Sequence, residues 1–223
     1  MKIKEVYVSF LDVVNRNMTN NNVNVDLPRF VTLLNTTLQK YVAWILEKRN
    51  EDVIRYISPL LILEHPLQRA EVKDNYVTFK LPSDYFDLAN VNIYASKGNC
   101  KVQKFKKPFE VKVEDIEEKL GDDSNKPSFE YRETFYLTTE NKLAVYKSDF
   151  EVEKVNLSYY RYPKKLDIAG YIKIDNSNSI DIDPELDDKV MNKIIIAMAK
   201  QFSVTNGDTA DYQLNKDTLF SEI

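Results

Sequence analysis

The sequence predicts an α+β fold in which N-terminal and C-terminal helices form one bundle that carries an inserted, mainly antiparallel β lobe. Apolar residues recur at three- and four-residue steps near both ends of the chain, which is the period of a helix packed on one face. Between about residues 70 and 163, apolar and polar residues alternate instead, which is typical of strands. No clear helical crossover interrupts this middle block, so its strands are expected to be mainly antiparallel.

Residues 1–69 form the predicted N-terminal helical part. The most regular pattern predicts a helix from about Pro28 to Arg49, with Asp26 as its N-cap. Asn50 is predicted to cap a further helix that continues to about Leu61 and that Pro59 ends or bends. A helix is also predicted near the start of the chain, with an apolar face formed by Val6, Phe10, Val13 and Val14. The apolar face of the main helix is formed by Phe30, Leu34, Leu38, Tyr41, Val42 and Ile45.

Residues 70–163 form the predicted β lobe. An acidic stretch, 113–123, interrupts it as a short helix that Gly121 ends. Short polar links join the last three strands, so these are expected to form an antiparallel meander. The predicted strands lie around 76–81, 91–94, 100–105, 128–133, 134–138, 142–147 and 153–162.

The last predicted strand contains three tyrosines and an arginine at positions 159–162. Alternation places Tyr159 and Arg161 on one face and Tyr160 and Tyr162 on the other, so these side chains cannot form a single platform. Packing within a sheet is therefore the favoured role, and Pro163 is expected to end the strand.

Residues 164–207 form the predicted C-terminal helical part, which packs on the first. Asp183 before Pro184 predicts an N-cap followed by the first helical residue, with acidic side chains in the first turn. The apolar face of this helix consists of Leu186, Val190, Ile194, Ala197, Met198 and Phe202. Residues 208–223 form a polar tail that is predicted to dock on a partner through sparse anchors, Tyr212, Leu214, Leu219 and Phe220.

Composition limits the possible functions. The chain has 223 residues, a net charge of −4 and a pI of about 5.3. It therefore lacks the overall excess of Lys and Arg over Asp and Glu that is typical of nucleic-acid-binding proteins. A single cysteine, Cys100, excludes an intrachain disulfide and favours a reducing compartment. No continuous apolar stretch reaches the length of a membrane span, so we expect a soluble protein made in the cytoplasm, with no membrane partner.

Chemistry-bearing residues do not form a recognisable catalytic pattern. His65 is the only histidine, so His65 and Cys100 alone cannot complete a zinc site of the usual ligand type. The richest carboxylate cluster, DIDPELDD at 181–188, is compatible with a hard cation or an acid/base pair, but acids at a helix N-terminus more often stabilise its dipole. We therefore expect no enzymatic activity and no cofactor.

One alternative function remains open at this stage. The segment KVQKFKKPFEVK at 101–112 offers lysines for phosphate contacts, with Phe105 and Phe109 able to stack on bases. The same residues also fit a strand whose lysines face solvent, next to an acidic segment that neutralises them. A nucleic-acid-binding accessory protein that uses the basic 101–108 loop is the alternative hypothesis.

The order of the segments along the chain resembles the head-to-tail connector proteins of tailed bacteriophages, the adaptor or ring proteins stacked below the portal. It is most similar to structural ring proteins of crAss-like phages. The resemblance covers most of the chain and depends on the co-linear order of its segments, none of which is a catalytic signature. The segments that carry it are FVTLLNTTLQKYVAWILEKRNEDVIRYISPLL (30–61), FKLPSDYFDL (79–88), KPSFEYRETFYL (126–137), LSYYRYPKKLDIAGY (157–171) and IDIDPELDDKVMNKIIIAMAKQF (180–202).

The resemblance implies a virion structural protein that forms a closed ring, of about twelve copies in this family, at the head–tail junction. Its implied partners are further copies of itself, the portal protein and neighbouring tail or ring proteins. DNA would pass through the ring without sequence-specific binding, and an acidic wall would avoid attracting phosphate. Asp181, Asp183, Glu185, Asp187 and Asp188 are the candidate channel-facing acids, with the acidic segment 114–123 as a second possibility.

Overall fold

A computed structural model describes residues 1–17, 25–105, 108–122 and 124–205, and the chain divides into two compact units. The helical unit combines Met1–Leu60 with the segment that begins at Pro163, and the β unit spans Leu61–Tyr162. The boundaries drawn from the sequence were 69/70 and 163/164. Strand structure begins already at Leu61, because the backbone of the Leu61–Pro66 segment pairs with a later strand.

The long helices of the helical unit, among the residues that the structure describes, are α1 (Ile3–Asn17), α2 (Leu27–Lys48) and α5 (Asp188–Thr205). Both α1 and α2 pack on α5, which confirms the predicted arrangement of N-terminal and C-terminal helices. The rings of Phe10 and Phe202 meet edge to face, 6.0 Å between centroids, and Phe10 also lies 5.6 Å from Phe30. These side chains are almost fully buried, and removal of apolar surface from water stabilises the bundle.

The predicted bounds of α2 are confirmed. Asp26 stands at the N-cap in extended conformation, and Pro28 lies in the first turn, although the Asp26 side chain makes no capping hydrogen bond. Arg49 ends the helix in the left-handed region, at φ 45°, and its N–H donates to the carbonyl of Ile45. The left-handed conformation of Arg49 therefore ends α2, and Asn50, the N-cap of the following helix, comes directly after it.

The segment after α2 is shorter than predicted. Asn50 does act as an N-cap, accepting a hydrogen bond from the N–H of Asp52 at 2.9 Å, but the following helix α3 covers only Glu51–Ile54. A 3₁₀ segment, Arg55–Leu60, contains Pro59 and leads directly into a strand. The α-helix therefore ends earlier than predicted, at Ile54. Pro59, which was expected to end or bend the helix, lies in the 3₁₀ segment and cannot donate the backbone hydrogen bond of a continuing helix.

Two sheets form the β unit, where the sequence suggested one. Among the described residues, every strand pair is antiparallel except the parallel pair of Phe109–Glu110 with Phe135–Thr138, so the prediction of a mainly antiparallel lobe is confirmed. The first sheet has the order β1-β9-β4-β5, with bounds Leu61–Pro66, Glu151–Arg161, Tyr85–Ser96 and Gln103–Lys104. The second has the order β2-β3-β8-β7-β6, with bounds Gln68–Val72, Tyr76–Lys80, Lys142–Tyr146, Phe135–Thr138 and Phe109–Glu110.

The predicted meander is only half right. Strands β7 and β8 pair, but β9 leaves them and joins the other sheet between β1 and β4. A short polar link permits either pairing, and burial decides between them: β9 is buried at six consecutive positions, from Val155 to Tyr160. A strand buried on both faces suits the centre of a sheet.

Two other predicted strands are corrected. Residues 128–133 form a turn with a single bridge between Ser128 and Glu133, and Arg132 there adopts φ 57°. The run 100–105 reduces to the two residues of β5. The acidic segment does form a short helix, α4 (Ile116–Gly121), preceded by a 3₁₀ turn at Val113–Asp115.

The tyrosines at the start of the 159–162 run pack inside the β unit. Tyr159 and Tyr160 are both buried although they lie on opposite faces of β9, so they do not form an aromatic platform. Burial, and a hydrogen bond that the hydroxyl of Tyr159 donates to Asp84 at 2.9 Å, raise the pKa of this tyrosine to about 12. Strand β9 ends at Arg161, two residues before Pro163.

Candidate functional site

The most distinctive surface of the helical unit is the link of residues 163–187, which connects β9 to α5 and contains most of the predicted acids. Helix α5 begins later than predicted, at Asp188. Asp187 is its N-cap: the Asp187 side chain accepts from the N–H of Lys189 at 2.8 Å, and its carbonyl accepts from the N–H of Met191 at 3.0 Å. The prediction that Asp183 caps this helix and that Pro184 is its first residue was therefore wrong.

Asp183 has a different structural role, together with Asp181. Asp183 accepts a hydrogen bond from the N–H of Ile3 at 2.8 Å, so it lies at the start of α1, where unpaired N–H groups and the helix dipole favour a carboxylate. The carboxylate of Asp181 contacts the Nζ of Lys4 at 2.8 Å and accepts from the N–H of Ala169 at 2.7 Å. These two bonds lower the pKa of Asp181.

The remaining predicted acids also have internal partners. The carboxylate of Asp188 contacts the amino group of Met1, and that of Glu185 accepts from the N–H of Lys164 at 3.1 Å. The five acids thus tie the link to α1 and to the start of α5. Four of them still keep an exposed surface, Glu185 being half-buried, and their assignment to a channel wall stays a prediction.

No group of three or more His, Cys, Asp or Glu side chains suited to a metal ion occurs within the residues that the structure describes. His65 lies in β1. Its ring makes an edge-to-face contact with Tyr159 at 6.0 Å. Cys100 is exposed.

Asp167 makes the largest group of side-chain contacts described in the link. Its side chain is almost fully buried, yet the carboxylate lies 2.7 Å from the Nζ of Lys173 and accepts from the hydroxyl of Tyr171 at 2.8 Å. It also accepts from the N–H groups of Ile168 and Ile180. Burial alone would raise the pKa of Asp167, but these donors outweigh it and hold the pKa below its usual value.

The residues that Asp167 holds form a small hairpin, which we call the 171–180 hairpin. The N–H of Lys173 donates to the carbonyl of Ser177 at 2.9 Å, and the N–H of Ser179 donates to the carbonyl of Tyr171 at 3.1 Å. Asn176 occupies the left-handed region at φ 62°, which asparagine tolerates better than most residues. Turn and base of the hairpin are therefore both closed by backbone hydrogen bonds.

The polarity of this hairpin is inverted. Tyr171, Lys173 and Ser179 alternate on the inner side, where they contact Asp167 or the backbone of Gly170. The alternate positions carry isoleucines that face solvent: Ile172 is 69% exposed, Ile174 is fully exposed and Ile180 is 57% exposed. Single exposed apolar residues are ordinary, whereas three on one face of a hydrogen-bonded hairpin indicate a surface for a partner.

Sequence reasoning missed this site. The signal was present in YIKIDNSNSI, where Ile172 and Ile174 alternate with Tyr171 and Lys173 as in any half-buried strand. Alternation alone gives no indication of which face is buried. The buried carboxylate of Asp167 selects the polar face, and that carboxylate reaches the hairpin only in the folded chain.

The basic segment does not offer the aromatic pair that the alternative hypothesis used. Phe105 lies in the core of the β unit, with its ring 5.0 Å from that of Phe150, so it cannot stack on a base. Phe109 is 41% exposed, but the Nζ of Lys119 from α4 lies 5.2 Å from its ring centre. Lys101 and Lys104 are exposed, and residues 106 and 107 lie outside the described ranges.

The four predicted docking anchors Tyr212, Leu214, Leu219 and Phe220 also lie outside the residues that the structure describes. Among the described residues, no helix combines the length and the apolar character that crossing a bilayer requires.

No protein-family model matches the chain, and no curated protein matches its sequence.

Proposed function

We propose that this chain is a non-enzymatic structural subunit that assembles with further copies of itself into a closed ring. The observation that carries the proposal is the inverted polarity of the 171–180 hairpin. A hairpin that exposes Ile172, Ile174 and Ile180 together keeps apolar surface in contact with water, and covering that surface with another protein is favourable. A homo-oligomer covers such a surface on every copy at once.

Within this class, we propose the adaptor ring of a phage head-to-tail connector, of the crAss-like type. The helical bundle with an inserted antiparallel β lobe agrees with the layout that the resemblance implies. The protein would be made in the host bacterial cytoplasm and incorporated in the virion at the head–tail junction. Its partners would be other copies, about twelve in a ring, the portal protein and the neighbouring tail or ring proteins.

The acidic charge supports passage of DNA rather than its capture. A channel that neutralised phosphates would release counterions and retain the genome, whereas carboxylates at the wall repel it. Asp181, Asp183 and Asp187 each accept a hydrogen bond from a backbone N–H, which gives these exposed carboxylates defined positions. Asp181 and Asp188 are also paired with the cations of Lys4 and the Met1 amino group, so Asp183 and Asp187 contribute most of the unbalanced negative charge. We assign them, with Glu185, as candidate channel acids.

The test is the mass of the assembled protein. Native mass spectrometry and negative-stain microscopy of the full chain, alone and mixed with portal rings of a crAss-like phage, are expected to show closed rings of about twelve copies. A chain that stays monomeric at high concentration and does not bind portal rings would refute the proposal. Measuring both samples matters because a portal surface can nucleate a ring that does not form alone.

A further inference from the structure

The same helical unit also contains an open groove. It has a volume of about 520 Å³ and lies between α2 and the end of α5. Phe202, almost fully buried, belongs to its wall together with the half-buried Leu33. Side chains that line it include Arg29, Thr32, Leu33 and Thr36 from α2 and Gln201 and Phe202 from α5.

Gly170, the residue before the hairpin, and the groove contact opposite faces of α2. Gly170 packs on Leu27, since a Cβ added to Gly170 would lie 3.1 Å from a methyl carbon of that side chain. Thr36, which lines the groove, follows Leu27 by about two and a half turns at 3.6 residues per turn, so it faces the other way. The chain therefore enters the hairpin from one face of α2, while the groove opens on another.

The two surfaces also complement each other in charge. Beside Ile174, Asp175 carries a carboxylate whose pKa is lowered by hydrogen bonds from the hydroxyl and N–H of Ser177. In the groove, the guanidinium of Arg29 lies 4.6 Å from the ring centre of Phe202. An apolar side chain next to a negative charge thus matches an apolar wall next to a positive charge.

We propose that the 171–180 hairpin of one copy inserts Ile174 into the α2–α5 groove of the next copy. This contact rests on the proposed function, because it names the surface by which such a ring closes. It is a heterologous contact: each subunit gives its hairpin to one neighbour and its groove to the other, so repeating it generates a ring when the rotation closes.

Site-directed cross-linking of two differently tagged full chains tests the contact. Both carry Cys100→Ser; one carries Ile174→Cys, and the other carries Thr36→Cys in the groove. A short bis-maleimide reagent is expected to give a dimer containing both tags, in at least about tenfold higher yield than a matched control with Val8→Cys replacing Ile174→Cys. Val8 is a suitable control because it is 57% exposed and belongs to neither the hairpin nor the groove lining.

Other occupants give different products. Cross-linking of Ile174→Cys only to itself would indicate a two-fold contact between hairpins and would overturn the proposal. A chain carrying Leu214→Cys and Thr36→Cys that cross-links within itself would show that its own C-terminal segment fills the groove, and would also overturn it. Equal yields for Ile174→Cys and Val8→Cys would do the same.

The hairpin–groove contact and the closed ring of the proposed function can fail independently. Cross-linked dimers that grow into open chains would support the hairpin contact and refute the closed ring. Rings of about twelve copies without the cross-link would support the ring and refute the contact. Ile174→Asp is expected to abolish self-association without changing the melting temperature, since the side chain makes no buried contact to lose.

Discussion

The Nζ of Lys173 lies 2.7 Å from the buried carboxylate of Asp167, and this ion pair determines which face of the 171–180 hairpin meets solvent. Because Lys173 and Tyr171 both reach Asp167, the isoleucines between and beyond them must point outward. The apolar face is thus exposed because the polar face is anchored.

Asp167→Asn is expected to loosen the hairpin. The amide removes the charge that holds Lys173 and weakens the bonds from Tyr171 and the backbone, so the free energy of unfolding should fall by about 1–3 kcal/mol. Urea unfolding and hydrogen exchange at residues 171–179 measure the two effects. Asp175→Asn, on the exposed turn of the same hairpin, is the matched control and should cost much less. Equal losses for both variants would show that Asp167 is not the anchor.

The contribution of Asp167 should depend on pH. Its pKa in the folded protein lies below the ordinary value of 3.8, so the folded state binds the proton more weakly than the unfolded state. The carboxylate therefore stabilises the protein fully above about pH 5 and loses this effect as the pH falls through the folded-state pKa. The difference in unfolding free energy between the wild type and Asp167→Asn should shrink between pH 5 and pH 3. A constant difference over this range would contradict the assignment.

Asp187→Ala should destabilise α5 at its first turn. The substitution removes the acceptor for the N–H of Lys189, and loss of an N-cap costs about 1 kcal/mol. Asp187→Ser keeps an acceptor at that position and should restore most of the stability. Thermal unfolding of the three proteins distinguishes a cap from a surface charge, because a mere charge effect would leave serine as poor as alanine.

The acidic chain should not bind duplex DNA in a salt-dependent manner. Fluorescence anisotropy at about 50 mM salt is the measurement, because phosphate contacts are strongest at low salt. Binding that disappears in the triple variant Lys104→Glu/Lys106→Glu/Lys107→Glu would support the alternative hypothesis of a nucleic-acid-binding accessory protein. The matched control is Lys142→Glu, on a strand of the other sheet.

Deletion of residues 208–223 should spare folding and weaken docking to a neighbouring ring. The physical reason is the low density of apolar anchors in this segment, which gives it little to contribute to a core. Urea unfolding measures the first effect, and co-sedimentation with portal rings measures the second. Loss of a cooperative unfolding transition would show instead that the segment belongs to the core.

Helix α2 shows what could be read directly from the residues. Its apolar face, Pro28 in the first turn and the Asn50 cap of the following helix all depend on neighbours within a few positions, and all are confirmed. Interactions of this kind are local, so the order of residues contains them.

Features that depend on distant partners were predicted poorly. The cap of α5 is Asp187 rather than Asp183, because Asp183 is engaged with the N–H of Ile3, a residue 180 positions away. Strand β9 joined the sheet of β1 and β4 rather than continuing a meander with β8, since pairing there buries both of its faces.

The sequence by itself determined the α+β class, the helical ends and the antiparallel middle, because hydrophobic period and turn chemistry are local properties. Only the tertiary structure decided the partition of the strands into two sheets, the roles of the five acids and the outward face of the 171–180 hairpin. The hairpin makes the physical reason plain: alternation separates isoleucines from polar residues, and the buried carboxylate of Asp167, brought beside them by folding, selects the polar side as the inner one.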